Sequence, residues 1–307
     1  MSQSGAANEV VDGGPHEAEF RLLLVAAGKS RTLFDDQLMA LAGQKNLDRQ
    51  DLPEYLLISL SYLASVQHRS ALLLLSDATA SYGAEIQCRG LLEFLAHIAF
   101  VLGKETDTPV GSPRQRAICL SLARAREEFQ VIDSAETSGK VPKGRAAGAK
   151  ERVDIYTKLH DDEGCPWTPE ASWPCAIGGR PCRHHSEWPC KHAKARPRTL
   201  VRPTIELLAD RLKRPWLLDL YVTSSLLAHQ ALIDRIVHAN ADGVDLPAPA
   251  TYRYRALILS AALTAYGQGL GWILETYSPA ASNALGEEWD QIYSVPGFDD
   301  AINGRWD

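Results

Sequence analysis

The sequence lacks an excess of basic residues. Its 32 lysines and arginines are outnumbered by 38 aspartates and glutamates, which gives a formal net charge of -6 and a pI near 5.9. No global positive field therefore attracts nucleic acid, although a local basic patch is compatible with these totals. The sequence also contains no serine-hydrolase elbow, no phosphate-binding loop and no His-Glu-x-x-His zinc motif. Nothing in it points to the enzyme classes that these motifs mark.

Targeting and membrane signals are equally scarce. The N-terminus, MSQSGAANEVVDGGPHEAEF, has no basic segment followed by an apolar run, so we expect a disordered polar tail over residues 1–14 and no secretory signal. The longest uncharged run, residues 256–274, is about long enough to cross a bilayer. Because polar side chains and three glycines interrupt it, we expect a buried core helix instead. The sequence therefore predicts a cytoplasmic protein with no membrane partner.

Helical periodicity covers most of the chain, and no stretch shows the alternation of a β-strand. Ser112 is a suitable cap for a helix that begins at Pro113. Predicted helices cover residues 15–42, 54–77, 78–103 after an opening turn, 113–136, 151–162, 204–214, 215–240, 252–277 and 282–293. Residues 138–150 are expected to form a flexible basic connector, and residues 163–199 a loop insertion rich in Cys, His and Trp. The expected architecture is all-α, a single helical-bundle domain over residues 15–294 with a polar tail over 295–307.

The helix that ends near Gly103 is apolar on nearly every side except for one polar stripe. Arg89, Glu93 and His97 are spaced at i, i+4 and i+8, so they lie one above the next on one face. A helix this apolar is expected to be central, and a charge buried there must be paired, ligated or functional. We therefore predict that this stripe faces another polar group.

The predicted helix over residues 215–240 carries a second stripe at the same spacing. Tyr221, Ser225 and His229 lie among leucines and valines. Two apolar helices with one polar stripe each pack most simply with the stripes facing, which lets buried donors and acceptors satisfy each other. The alternative is that Arg89 and Glu93 pair within their own helix and His229 is an ordinary core histidine.

These two motifs resemble an uncharacterised all-helical family found mainly in bacteria. The resemblance rests on Arg-x-x-x-Glu at Arg89 and Glu93, and on Tyr-x-x-x-Ser-x-x-x-His at Tyr221, Ser225 and His229. It covers roughly residues 55–240 and implies the fold and the site, but no reaction. The HEPN superfamily of helical ribonucleases is more weakly similar. Its arginine and histidine are separated by four to six residues, whereas seven separate Arg89 from His97 and two separate Arg235 from His238.

The first functional hypothesis is that the central site binds a small or nucleotide-like ligand. In a hydrolytic or ribonuclease-type effector of stress or phage defence, a histidine or Glu93 would be the general base. Arg89 would then stabilise the charge on the phosphorus centre. RNA is thus one candidate partner, and a homodimer is left open. The second hypothesis is a non-catalytic interaction protein whose insertion docks a protein partner.

The insertion holds four cysteines and three histidines within residues 165–192. Thiolates and imidazoles are the ligands that structural zinc prefers, and a loop with little core gains most from a metal. The most compact ligand set is Cys175, Cys182, His184 and Cys190. Because the spacing lacks Cys-x-x-Cys pairs, disulfides and free thiols remain alternatives. We interpret Cys88 and Cys119 as small core residues.

One glycine motif is also interpreted structurally. Gly267, Gly269 and Gly271 form Gly-x-Gly-x-Gly inside a helical pattern. A phosphate-binding loop needs a preceding strand, so we predict that these glycines allow close helix packing.

Overall fold

The chain folds as a helical bundle, and the all-α prediction is confirmed. The computed structural model describes residues 17–44, 52–78, 80–107, 109, 111–165, 198–228, 238–240, 243–245 and 250–294. The helices are α1 (Glu17–Gln44), α2 (Glu54–Leu75), α3 (Ser81–Leu102), α4 (Pro113–Thr137), α5 (Arg145–Asp162), α6 (Arg198–Arg211), α7 (Trp216–Ala228), α8 (Tyr252–Tyr277) and α9 (Pro279–Tyr293). The predicted tails over residues 1–14 and 295–307, and most of the insertion, lie outside the described residues.

The centre of the bundle is α3, as its composition predicts. It packs against α2, α4, α6, α7 and α8. Side chains on several of its faces, including those of Leu91, Leu92 and Leu95, are fully buried. Such a helix can tolerate a polar stripe only where another element supplies a partner or where solvent reaches the stripe. Its end is marked by Gly103, which adopts the left-handed conformation with φ of 69°.

The long apolar helix α8 forms the other half of the core. Among the described helices it alone has the length and hydropathy of a membrane span, and 72% of its apolar window is buried inside the protein. Two of the three glycines allow close packing, as predicted: a Cβ on Gly269 would lie 2.5 Å from the ring of Phe94, and one on Gly267 would lie 3.0 Å from Phe34. The prediction is wrong for Gly271, where a Cβ would meet nothing within 4 Å. Thus α8 is packed as a core helix against α3 and α1.

The start of α4 follows the sequence prediction closely. The Ser112 hydroxyl accepts a hydrogen bond from the Gln115 amide, and the Gln115 side chain accepts one from the Ser112 amide. This reciprocal capping box satisfies two donors that a helix start would otherwise leave unpaired. Pro113 occupies the first turn, where its missing N–H costs nothing.

The predicted connector over residues 138–150 is partly wrong, because α5 begins at Arg145 and not at Glu151. The carboxylate of Glu136 accepts hydrogen bonds from the amides of Gly144 and Ala146, both at 2.8 Å. The Glu136 carboxylate, from the preceding helix, therefore caps the N-terminus of α5. Because the cap comes from another helix, the sequence around residue 145 does not predict where α5 begins.

The single helix predicted over residues 215–240 is wrong at its C-terminal end. The structure describes helix α7 over Trp216–Ala228, whereas residues 238–240 form the first of two three-residue strands, β1 (His238–Asn240) and β2 (Gly243–Asp245). The strands are antiparallel, with His238 opposite Asp245 and Asn240 opposite Gly243. The sequence Asn-Ala-Asp-Gly at this point disfavours helix and suits a hairpin, which explains the change.

Candidate functional site

The polar stripe of α3 begins with an ion pair within the helix. Nε of Arg89 lies 3.1 Å from Oε1 of Glu93, one turn further along. The Arg89 side chain is 17% exposed and that of Glu93 35%, so solvent reaches the carboxylate more than the guanidinium. The intrahelical pairing is the alternative that the sequence left open, and the structure contains it.

A second arginine, Arg124 from α4, lies within electrostatic range of this stripe. Arg124 is half-buried and lies close enough to Glu93 and Glu127 for both carboxylates to raise its pKa. Burial is the stronger effect and lowers the pKa of Arg124 overall. The Glu93 carboxylate therefore pairs with Arg89 and also interacts electrostatically with Arg124. The two nearby carboxylates restore only part of the stabilisation that the charged Arg124 loses on burial. Sequence reasoning missed Arg124, because nothing in α4 marks one arginine among several as inward-facing.

The third member of the stripe, His97, lies within electrostatic range of Arg124. Burial, with a smaller contribution from the positive charge of Arg124, lowers the pKa of His97 to about 3. The imidazole is only half-buried by accessible surface, yet the nearby guanidinium favours its neutral form. At neutral pH His97 can accept or donate one hydrogen bond, but it does not supply a proton as a general acid.

The second predicted stripe lies on α7, which does pack against α3. Tyr221 is buried, at 8% exposure, whereas Ser225 is partly exposed and its neighbour Ser224 is fully buried. The Ser224 hydroxyl donates to the carbonyl of Tyr221 within α7. His229 lies outside the described residues. The helices are thus brought together as expected, while the predicted meeting of Arg89 with His229 stays a prediction.

The proposed zinc ligands Cys175, Cys182, His184 and Cys190 all lie outside the described residues. A different group of potential ligands comes together just before them. Sγ of Cys119, a ring nitrogen of His160 and Sγ of Cys165 all lie within 4.8 Å of one another.

Cys119 comes from α4, His160 from the last turn of α5, and Cys165 from the turn that follows. Sequence reasoning assigned Cys119 to the core and did not select His160, since no short motif joins positions so far apart in the chain.

A partly buried polar network joins α1, α2 and α8. Asp35 accepts hydrogen bonds from Ser65 at 2.5 Å and from the Tyr266 hydroxyl at 3.0 Å, and forms an ion pair with Arg31 at 2.7 Å. The ring of His68 stacks on Tyr266 with centroids 4.9 Å apart. Burial lowers the pKa of His68 to about 3, although Asp35 opposes that shift. The network holds three helices in register around a neutral histidine.

The described helices also enclose a cleft of about 210 Å³ between α1, α8 and α9. Phe34 and Trp289 form one wall with ring centroids 5.0 Å apart, and Gln268 and Arg214 supply polar groups. The guanidinium of Arg214 donates to the hydroxyl of Thr264 across this cleft. Its lining consists mainly of packing residues and is separate from the Arg89–Glu93 stripe.

The chain matches no protein-family model, no curated protein and no solved structure. The resemblance carried by Arg89, Glu93, Tyr221, Ser225 and His229 therefore stays a prediction, and function must be argued from the geometry.

Proposed function

We propose that the polar site on α3 and α4 binds a small phosphate-bearing ligand of the nucleotide class. One observation carries the proposal: Glu93 forms an ion pair with Arg89 at 3.1 Å, and a second, half-buried arginine from another helix, Arg124, lies within electrostatic range of the same carboxylate. Guanidinium groups bind phosphate through paired N–H donors, which makes arginine well suited to this ligand. The chain would do so in the cytoplasm.

The electrostatics of the site favour an added anion. Burial of Arg124 is not fully compensated by Glu93 and Glu127, so a phosphate oxygen placed beside it would restore stabilisation that desolvation removed. Glu93 is 35% exposed, so the charged end of the stripe is reachable from solvent. The neutral ring of His97 would contribute a hydrogen bond to the ligand without adding charge.

A hydrolytic version of this function assigns the general base to Glu93 and the stabilisation of developing phosphorane charge to Arg89. His229 is the further catalytic candidate, and Tyr221 and Ser225 are ligand-binding candidates from α7. In this version the chain is a ribonuclease-type effector of stress or phage defence. Incubation with RNA in the presence of EDTA tests it. Cleavage that Glu93→Gln abolishes supports hydrolysis, whereas intact RNA restricts the function to binding.

Binding itself is tested by titrating inorganic phosphate and ADP into wild-type protein and into Arg124→Gln and Arg89→Gln. Loss of a charge-assisted hydrogen bond costs about 1.5–3 kcal/mol, so each variant should bind about 10- to 100-fold more weakly. Arg152→Gln is the matched control, because Arg152 pairs with Glu128 on the open surface, where both side chains are about half exposed. Equal affinity in all variants, or no binding by the folded wild-type protein, would contradict the proposal.

The second candidate is a non-catalytic interaction protein. The observation that favours it is the Arg89–Glu93 pair itself, because an intrahelical salt bridge can satisfy both charges without any ligand. In this function the insertion is held by zinc at Cys175, Cys182, His184 and Cys190, and docks a protein partner or a second copy of the chain. If Arg89→Ala and His229→Ala only destabilise the fold and no ligand binds, this second function is favoured. Replacement of the four proposed ligands should then release bound zinc.

A further inference from the structure

We propose that Cys119, His160 and Cys165 bind a zinc-class metal ion at a site between α4 and the end of α5. The three ligand atoms lie within 4.8 Å of one another, a separation compatible with a common metal ion after small side-chain adjustments. The proposal concerns a site separate from the α3–α4 polar stripe and does not depend on ligand binding there.

The three residues converge because the chain reverses at the end of α5. Gly164 has a φ of 55°, a left-handed conformation that glycine adopts without strain. The amide of Cys165 then donates to the carbonyl of His160 at 3.1 Å, which closes the turn. This turn places Cys165 beside His160, while the packing of α5 on α4 brings both to Cys119.

The turn is fastened to α4 by polar contacts that do not require a metal. Nε2 of Gln115 donates to the Glu163 carbonyl at 3.0 Å, and Nε of Arg114 lies 2.7 Å from the Glu163 carboxylate. The cysteine is therefore held near its position in advance, which lowers the ordering cost of binding an ion.

A carboxylate lies beside Nδ1 of the His160 ring. Nδ1 of His160 lies 3.3 Å from Oδ1 of Asp161. In metal sites a carboxylate commonly accepts the second ring N–H of a ligating histidine, which fixes the tautomer and orients the ring. This contact favours Nε2 of His160 as the metal ligand.

The donor set selects the ion. Two thiolates and one imidazole suit zinc and other borderline-soft ions, whereas magnesium and calcium require oxygen ligands. Cys119 and His160 are nearly fully buried, at 6% and 7% exposure, and Cys165 is half-buried. The ion would thus tie α4 to the end of α5, with its fourth position supplied by water or another ligand.

The first test measures metal in full-length protein purified without chelator, together with X-ray absorption at the zinc edge. We expect about one zinc per chain, with two sulfur neighbours at about 2.3 Å and at least one nitrogen at about 2.0 Å. The quartet Cys175, Cys182, His184 and Cys190 would instead give three sulfurs. The sulfur count therefore separates the two sites.

The variants that complete the test are Cys165→Ser and His160→Gln, with Cys88→Ser as the matched control. Cys88 is a buried cysteine on α3 whose thiol donates to the carbonyl of Ile258, and it is not part of the cluster. We expect Cys165→Ser and His160→Gln to weaken zinc binding by at least about 10- to 100-fold, and Cys88→Ser to leave it unchanged. Circular dichroism confirms that each variant is folded, and Cys165→Ser keeps the test usable if a buried substitution is not tolerated.

Three results would overturn the proposal. One is folded wild-type protein that neither retains zinc nor binds added zinc or cobalt. Another is zinc that is lost from a variant with all four quartet residues replaced but kept by Cys165→Ser. The third is a disulfide between Cys119 and Cys165 in protein purified under reducing conditions, since those sulfurs could not then serve as thiolate ligands.

Discussion

Glu105 and Arg116 form an ion pair that solvent does not reach. Nη1 of Arg116 lies 2.7 Å from Oε1 of Glu105, and the two side chains are 1% and 0% exposed. The same guanidinium donates to the carbonyl of Phe100 and lies 4.9 Å from the centre of its ring. The pair fastens the start of α4 to the end of α3. It therefore helps to position α4, the helix on which Arg124 lies about two turns further along.

Removal of the carboxylate should strongly destabilise the protein. Glu105→Leu leaves the Arg116 charge buried beside apolar groups, and such a loss costs about 3–5 kcal/mol of the free energy of unfolding. Urea denaturation of the wild type and the variant at pH 7 measures this difference. A loss below about 1 kcal/mol would show that water or another group replaces the carboxylate.

The double variant Glu105→Leu with Arg116→Met is the control for that prediction. It removes both charges, and buried ion pairs are often replaced by apolar residues with little loss of stability. We therefore expect the double variant to be more stable than Glu105→Leu alone. A double variant that is no more stable than Glu105→Leu would show that the pair contributes through packing and the hydrogen bond to Phe100 and not through mutual compensation of charge.

Much of the helical fold could be predicted from sequence, because the patterns that determine it lie within short stretches of the chain. The central position of α3 follows from its apolar composition, and the contact of Arg89 with Glu93 follows from a spacing of four residues. The capping box at Ser112 is equally local. The start of α5 could not be predicted in this way, since its cap is Glu136 on another helix.

The composition of the candidate sites was harder to predict, because it depends on tertiary packing. Arg124 is one of several charged residues on α4, and only the packing of α4 on α3 selects it. The cluster of Cys119, His160 and Cys165 joins residues of two helices and a turn, with no spacing that a motif would detect. Predictions that rest on Cys175, Cys182, His184, Cys190 and His229 are untested by the part of the chain that the structure describes.

The glycines of α8 provide a test of packing with an internal control. A Cβ on Gly269 would lie 2.5 Å from Cε1 of Phe94, so Gly269→Ala should overpack the contact with α3 and cost about 1–3 kcal/mol. A Cβ on Gly271 would meet nothing within 4 Å, so Gly271→Ala should stabilise the helix by up to about 1 kcal/mol. Thermal and urea unfolding of both variants measures the two changes in the free energy of unfolding, which we expect to have opposite signs. Equal effects would mean that Phe94 moves away without cost.

The buried ring of His68 makes the stability of the fold depend on pH. Its pKa is about 3 in the folded protein against 6.5 for the free group, because burial disfavours the charged form. As the pH falls below 6.5, His68 becomes protonated in the unfolded chain. In the folded protein it stays neutral until about pH 3. The contribution of His68 therefore lowers stability across this range, by about 2 kcal/mol between pH 7 and pH 5.

His68→Phe tests this dependence directly. Neither ring nitrogen of His68 has a hydrogen-bond partner among the described residues, and the ring stacks on Tyr266, so phenylalanine keeps the shape without the unsatisfied polar atoms. We expect the variant to be more stable than wild type at pH 7 by about 1–3 kcal/mol, because an unsatisfied buried polar group costs that much. This difference in the free energy of unfolding should grow by about 2 kcal/mol at pH 5, because His68 is then protonated in the unfolded wild type but not in the folded one. Urea denaturation of both proteins at the two pH values measures this difference. The other titrating groups are the same in both proteins, so their contributions cancel. If the variant and the wild type lose stability equally as the pH falls, His68 must become protonated in the folded protein near its ordinary pKa. Asp35 or buried water would then stabilise the charged ring.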